Sequence, residues 1–185
     1  MQIADAQRDV RTTYLGGFPG QLVSGFIWLA SAALATWSTP RAAILTLVLG
    51  GMCIFPLTQL VLRLIGRPSS LPKGHPMNAL AIEIAFIVPL LLPLIGAATL
   101  HHLSWFYPAF LIVVGAHYQP FTFLYGMRQF LALAALMIAS GLVIGLYAHA
   151  MFFSLGAWIG AALLLVFAFT GRRAAASGNR LTPNG

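Results

Sequence analysis

Long apolar stretches separated by short polar segments make up most of the chain. Six of them occupy approximately residues 21–37, 42–62, 78–100, 105–123, 130–146 and 152–170. A helix rises about 1.5 Å per residue, so about 20 residues cross a hydrocarbon core of about 30 Å. Backbone polar groups in lipid must pair internally, and these runs lack the in–out alternation of a β-barrel strand. The pattern predicts an all-α fold, a polytopic transmembrane bundle of six spans.

The polar segments set the domain boundaries and the orientation. Residues 1–20 are predicted as a cytoplasmic N-terminal segment, 21–170 as the transmembrane domain and 171–185 as a basic cytoplasmic tail. Lys and Arg accumulate on the cytoplasmic side of membrane proteins. With the N-terminus inside, the outer side holds Arg41 alone, and the inner side holds Arg8, Arg11, Arg63, Arg67, Lys73, Arg128, Arg172, Arg173 and Arg180. Both termini are therefore predicted to be cytoplasmic.

Composition supports a membrane setting and argues against several other classes. Apolar residues make up 59% of the chain and charged residues 7%, with a mean hydropathy of +0.88. A soluble domain carries about 25% charged residues. The net charge of +7 does not indicate nucleic-acid binding, because the basic residues lie at helix ends instead of along one face. No Gly-rich phosphate loop, C-x-x-C, G-x-S-x-G or H-E-x-x-H motif is present, which disfavours a standard nucleotide-driven or hydrolytic enzyme.

One layer of polar side chains near the inner ends of the spans is the candidate site. Glu83 is the only acidic residue in any predicted span, and it lies at a depth similar to that of His117. A carboxylate in a membrane is costly unless it faces the bundle interior and finds a partner. The predicted ligand-binding set is Glu83, His117, Gln119, Tyr118, Gln59, Arg63 and Arg128.

Several functions fit such a layer. The leading prediction is a non-enzymatic membrane protein whose cytoplasmic-side pocket binds or passes a small solute or a proton. One alternative is a membrane enzyme that acts on a lipid, with Glu83 and His117 as general base and acid. A second is a scaffold without a ligand, in which Glu83 pairs with Arg63 or Arg128 only to fix helix packing. The predicted partners are the lipid bilayer, a small solute or lipid head group, and further copies of the chain.

No metal ion or other cofactor is predicted. Three histidines, His101, His102 and His149, belong to the outer side. Imidazoles can hold Zn²⁺ or Cu²⁺, but no Cys or carboxylate supports them there, and adjacent histidines often point apart.

Glycines spaced four residues apart mark the last two predicted spans. Gly141 and Gly145 precede the turn near Ala148-His149, and Gly156 and Gly160 follow it. Small residues at this spacing let two helix backbones approach closely. The pattern predicts a tight hairpin of the last two helices, with a homodimer seam as the alternative.

Two Gly/Pro segments carry a resemblance to known proteins. They are Gly50-Gly51-Met52-Cys53-Ile54-Phe55-Pro56-Leu57 and Gly115-Ala116-His117-Tyr118-Gln119-Pro120-Phe121, the second continuing in Phe123-Leu124-Tyr125-Gly126. With these segments the chain resembles small bacterial integral membrane proteins of unknown function. The resemblance implies a multi-pass protein of the bacterial inner membrane and indicates nothing about catalysis.

Overall fold

The computed structural model describes residues 2–148 and 152–178, and these residues form helices without any β-strand. The all-α class is thereby confirmed. The tail beyond residue 178, with Arg180, and the turn residue His149 lie outside the described residues. The helices are α1 (Ile3–Thr13), α2 (Phe18–Trp37), α3 (Pro40–Leu64), α4 (Met77–His101), α5 (Phe106–Tyr118), α6 (Phe121–Tyr125), α7 (Gln129–Val143) and α8 (Leu155–Gly178).

Local sequence signals explain where the first long helices begin. Gly16 and Gly17 adopt positive φ values of 67° and 85°, which separates α1 from α2. At the start of α3, Thr39 caps the helix by accepting a hydrogen bond from the Ala42 N–H at 3.2 Å. Pro40 follows as the first helical residue, where its missing N–H costs nothing. Only two residues, Ser38 and Thr39, therefore separate α2 from α3, and the two helices form a hairpin.

Five helices in the described part of the chain are long and apolar enough to cross a membrane. They are Leu15–Trp37, Pro40–Leu64, Met77–His101, Gln129–Ala148 and Leu155–Ala176. Their outward faces carry exposed large apolar side chains, among them Met52, Phe55, Phe86 and Leu90. Water disfavours contiguous apolar surface of this kind, so lipid is the natural solvent for these faces.

Four helices form the centre of the bundle and two lie at its periphery. α2 packs along α8, and α5 packs along α7. Trp28 of α2 closes the gap between these pairs, with its ring 5.6 Å from that of Phe110 on α5. α3 lies on the outer side of α2, and α4 lies along α5. α3 and α4 are consequently the least buried of the long helices.

The paired glycines of the last two helices admit other helices instead of each other. A Cβ atom on Gly141 would lie 2.7 Å from the Pro108 carbonyl oxygen of α5, and one on Gly156 would lie 2.7 Å from the Tyr107 Cβ. Gly160 is covered by the Trp28 ring of α2. The glycines therefore bring α5 and α2 close to α7 and α8, which neither the hairpin nor the homodimer interpretation anticipates.

The amphipathic helix α1 covers one end of the bundle. Its Ala6 and Val10 are buried, and Asp9 Oδ2 lies 3.5 Å from His75 Nε2 in the connection between α3 and α4. We call this the α1 end, because the start of α2, the α3–α4 connection and the turn between α6 and α7 all meet there. The other end, where α2 meets α3, is the opposite end.

Candidate functional site

A broken helix lies at the α1 end. Pro120 has no N–H to donate to the Ala116 carbonyl, and helix α5 ends at Tyr118. The Ala116 carbonyl instead accepts from the Gln119 N–H at 3.2 Å. Helix α6 follows and is five residues long. It ends at Gly126, which adopts a left-handed conformation with φ 61°. The break therefore leaves a short helix whose final carbonyl groups need outside donors.

Helix α1 supplies those donors. Gln7 Nε2 donates to the Phe123 carbonyl at 2.6 Å, and Arg11 Nη1 donates to the Tyr125 carbonyl at 2.7 Å. Burial, and then the charge of Arg8, lower the pKa of Arg11, but the guanidinium stays protonated at neutral pH. Gly126 leaves the necessary room, because a Cβ there would lie 2.9 Å from Arg11 Nη1. Helix α1 thus stabilises the short helix after the break through side-chain hydrogen bonds to its backbone carbonyl groups.

An aromatic cluster fills the space behind the break. Tyr118, Phe121, Tyr125 and Phe130 have ring centroids 4.9 to 6.2 Å apart in their contacting pairs. His117 joins it through Phe121, at 5.0 Å. Three of these rings carry a polar group, so the cluster has hydrogen-bonding edges as well as apolar faces. These edges border the first turns of α2.

Helix α2 faces this cluster with a polar stripe. We define the α2 stripe as Gln21, Ser24, Trp28 and Ser31, which are all buried and recur at helical spacing. One turn before Gln21, on the same face, Gly17 lies against the ring of Phe130. One turn after it, the Ser24 hydroxyl lies close to the Tyr118 hydroxyl. Gln21 is thereby placed beside the aromatic cluster.

The Gln21 amide has no partner. Its side chain is only 2% exposed, and neither Nε2 nor Oε1 has a hydrogen-bond partner among the described residues. A buried polar group without a partner costs about 1–3 kcal/mol, so nearly all such groups in folded proteins are satisfied. The amide therefore needs a donor and an acceptor that the described residues do not supply, such as water or a small polar molecule.

Further buried atoms without partners occur on neighbouring elements of the same end. Thr58 Oγ1 of α3 lies 3.7 Å from the Cβ position of Gly20, next to Gln21. Gln129 Nε2 of α7 lies against Gly171 of α8, which also contacts Gly16. The remaining members near the break are Thr122 Oγ1 and His117 Nδ1. We call Gln21, Thr58, His117, Thr122 and Gln129 the orphan set. All five are uncharged hydrogen-bonding groups when His117 is neutral.

The residues of the predicted pocket are distributed unevenly around this region. Tyr118 is buried in the aromatic cluster and His117 belongs to the orphan set. Gln119, Glu83, Arg63 and Arg128 are exposed, and Gln59 is half-buried. No hydrogen bond or ion pair joins Glu83 to any other described residue.

The separation of Glu83 from His117 has a simple geometric reason. The His117 ring lies close to the backbone of Ile84 on α4, and the Ile84 side chain is 2% exposed. Consecutive helical residues point about 100° apart. Because Ile84 faces α5, the preceding Glu83 is turned toward the surface of the bundle.

Comparison with known proteins adds a family. Residues 3–172 match a family of unknown function, DUF7010. The chain belongs to DUF7010. No curated protein and no solved structure matches it. The DUF7010 match runs from α1 into α8, so it includes Gln7, Arg11 and the orphan set. A family of unknown function agrees with the resemblance stated above, while six spans and a bacterial inner membrane stay predictions.

Proposed function

We propose that the protein is a six-span, non-enzymatic membrane protein that binds and passes a small neutral polar solute, water included, through the orphan set at the α1 end. The observation that carries this proposal is the buried amide of Gln21, whose two polar atoms both lack a partner among the described residues. Four more neutral side chains at the α1 end have polar atoms without a partner in the described part of the chain. A neutral polar molecule satisfies such groups without the cost of burying a charge.

Two features support six spans. Five helices have the length and hydropathy to cross a membrane. The sixth crossing is α5 followed by α6, which together extend from residue 106 to residue 125 and are interrupted at Gln119-Pro120. An interruption of the helical hydrogen bonds at membrane depth is tolerated where protein surrounds it, and α1, α4 and α7 surround this break. Broken helices of this kind provide binding sites in many transporters.

The charge distribution supports a cytoplasmic α1 end. Nine of the ten Lys and Arg residues lie in the described part of the chain, and Arg41 alone is at the opposite end. Cytoplasmic loops carry the excess of Lys and Arg. Both termini would then face the cytoplasm, and the resemblance to bacterial proteins suggests a plasma membrane of a bacterium.

Flux through reconstituted vesicles tests the proposal. Stopped-flow light scattering would measure the osmotic response of vesicles with and without the protein to water, urea and glycerol as probes. We expect the wild-type protein to accelerate the response to at least one probe, and Gln21→Leu to return it to that of protein-free vesicles. Gln119→Leu is the matched control, because Gln119 is exposed at the same break. Equal responses of wild-type and protein-free vesicles to every probe would contradict the proposal.

A proton is the other small species that neutral polar chains can carry. Vesicles loaded with a pH-sensitive dye test this possibility with the same variants. A proton current that Gln21→Leu removes, without any response to urea or glycerol, would restrict the function to proton or water passage.

A further inference from the structure

Glu83 does not belong to the orphan set and has no part in the proposed solute site. It is the only acidic residue on the five membrane-length helices of the described chain, and its side chain is exposed on α4. It lies six residues after Met77, about 9 Å along the helix from its start. An exposed carboxylate at that depth is costly in lipid unless an opposite charge meets it. The position therefore calls for a partner outside its own bundle.

Helix α3 offers a complementary surface. A shallow open groove on its outer side is lined by Phe55, Pro56, Gln59, Leu60 and Arg63. The Arg63 side chain is exposed, and Gln59 provides a hydrogen-bonding amide one turn away. An aromatic and a leucine side chain form the apolar part. Such a groove suits a helix that presents one carboxylate on an apolar face.

The groove and the carboxylate lie at the same depth. Gln59 lies five residues before the end of α3 at Leu64, and Glu83 six residues after the start of α4 at Met77. At helical rise these positions are about 7.5 and 9 Å from the α1 end of their helices, whereas Arg63 starts about 1.5 Å from it, so its long side chain must extend toward Gln59 to meet Glu83. Two copies in one membrane are related by an axis along its normal, so every residue keeps its depth in the partner.

We propose that α4 of one copy docks in the α3 groove of a second copy, with Glu83 facing Arg63 of that copy. The contact repeats by symmetry, because a two-fold dimer uses the same surface on both subunits. α3 and α4 are the peripheral helices of the bundle, and exposed Leu60 and Phe86 complete the apolar part of the contact. The proposal rests on the membrane setting of the proposed function and not on the solute site.

Cross-linking between differently tagged copies tests the contact. Phe86 lies nine residues after Met77 and Phe55 nine residues before Leu64, so both exposed positions are about 13.5 Å from the α1 end and should face each other across the dimer. In a Cys53→Ser background, one tagged copy carries Phe86→Cys and the other carries Phe55→Cys. We expect oxidation in co-reconstituted vesicles to join the two tags. Phe55→Cys paired with Leu94→Cys, an exposed position of α4 two turns beyond Phe86, should not join them.

Charge reversal separates the proposed ion pair from simple contact. In the same cross-linking pair, Glu83→Arg should reduce the joined fraction several-fold, and adding Arg63→Glu should restore it. Thermal unfolding in detergent shows whether each variant folds. Folded protein whose tags are never joined above the Leu94→Cys level overturns the proposal, and so does charge reversal without effect. The proposed function is judged separately, because a flux that depends on Gln21 can persist when the cross-link fails.

Discussion

Ser31 and Gln21 occupy the same buried face of α2 near its two ends, and their surroundings differ. Ser31 Oγ donates to the Ala43 carbonyl at 2.9 Å and lies 2.7 Å from the Tyr107 hydroxyl. The serine proton is used on Ala43, so Tyr107 is the donor of the second bond. Gln21 makes no such bond, although it is almost as deeply buried. One polar residue is satisfied by neighbouring helices and the other is not.

This difference separates a structural polar group from one that awaits an occupant. Interhelical hydrogen bonds between side chains are an ordinary means of fixing helices in a membrane bundle. Ser31 and Tyr107 fix α2 against α5 in this way. Gln21 fixes nothing among the described residues, and its uncompensated burial disfavours the folded state. A bound water or solute that hydrogen-bonds to the amide would remove this cost.

The largest expected effect comes from Trp28, which lies on the α2 stripe between the two ends. Its ring is 2% exposed and packs on Tyr107, Phe110 and Gly160. Trp28→Ala should lower the free energy of unfolding by about 3–5 kcal/mol, because the removed contacts leave a cavity. Thermal unfolding in detergent measures the loss.

Trp37→Ala is the matched control for this change, because Trp37 is on the same helix but 75% exposed. We expect a much smaller loss there. Equal losses for the two variants would show that the buried packing of Trp28 contributes no more to stability than an exposed tryptophan does.

The Ser31 end gives the second prediction. Ser31→Ala should lower the free energy of unfolding by about 0.6–1.7 kcal/mol, the range of interhelical hydrogen bonds in membranes. Its removal leaves the buried Tyr107 hydroxyl with only the Ser31 carbonyl, at 3.5 Å. Tyr107→Phe should lose part of the same energy, and the double variant should lose less than the sum. Strictly additive losses would show that the two hydroxyls do not interact.

The architecture was accessible from sequence because hydropathy follows the solvent directly. Apolar runs of sufficient length predicted membrane-length helices, and five are present in the described chain. Pro120 and Gly126 also belong to the second Gly/Pro segment of the sequence analysis, which contains His117. The break itself follows from the missing N–H of Pro120, whereas Pro56, Pro89 and Pro93 lie inside continuous helices. Depth along a helix could likewise be counted from its predicted ends.

The site was harder to predict because depth does not fix direction. Glu83 and His117 do lie on neighbouring helices, but Ile84 takes the inward position and turns Glu83 outward. Gln21 is not in the predicted site because the predicted first span begins at that residue, and a polar residue at the end of a span is ordinary. A signal was nevertheless present: Gln21, Ser24 and Ser31 recur at helical spacing in an apolar helix. Gln7 could not be assigned, since its contact with Phe123 spans 116 residues of sequence.

The smallest expected effect on stability is at Gln21, where we expect no loss or a small gain instead of the losses at Trp28 and Ser31. Gln21→Leu should leave the free energy of unfolding unchanged or raise it by about 1 kcal/mol, because a leucine of similar volume removes two buried polar atoms that lack partners. Ser31→Ala, measured beside it in the same detergent, should be destabilising. A loss for Gln21→Leu as large as that for Ser31→Ala would mean that the amide is bonded within the folded chain. Gln21 would then be satisfied as Ser31 is, and its amide would not require a bound water or solute.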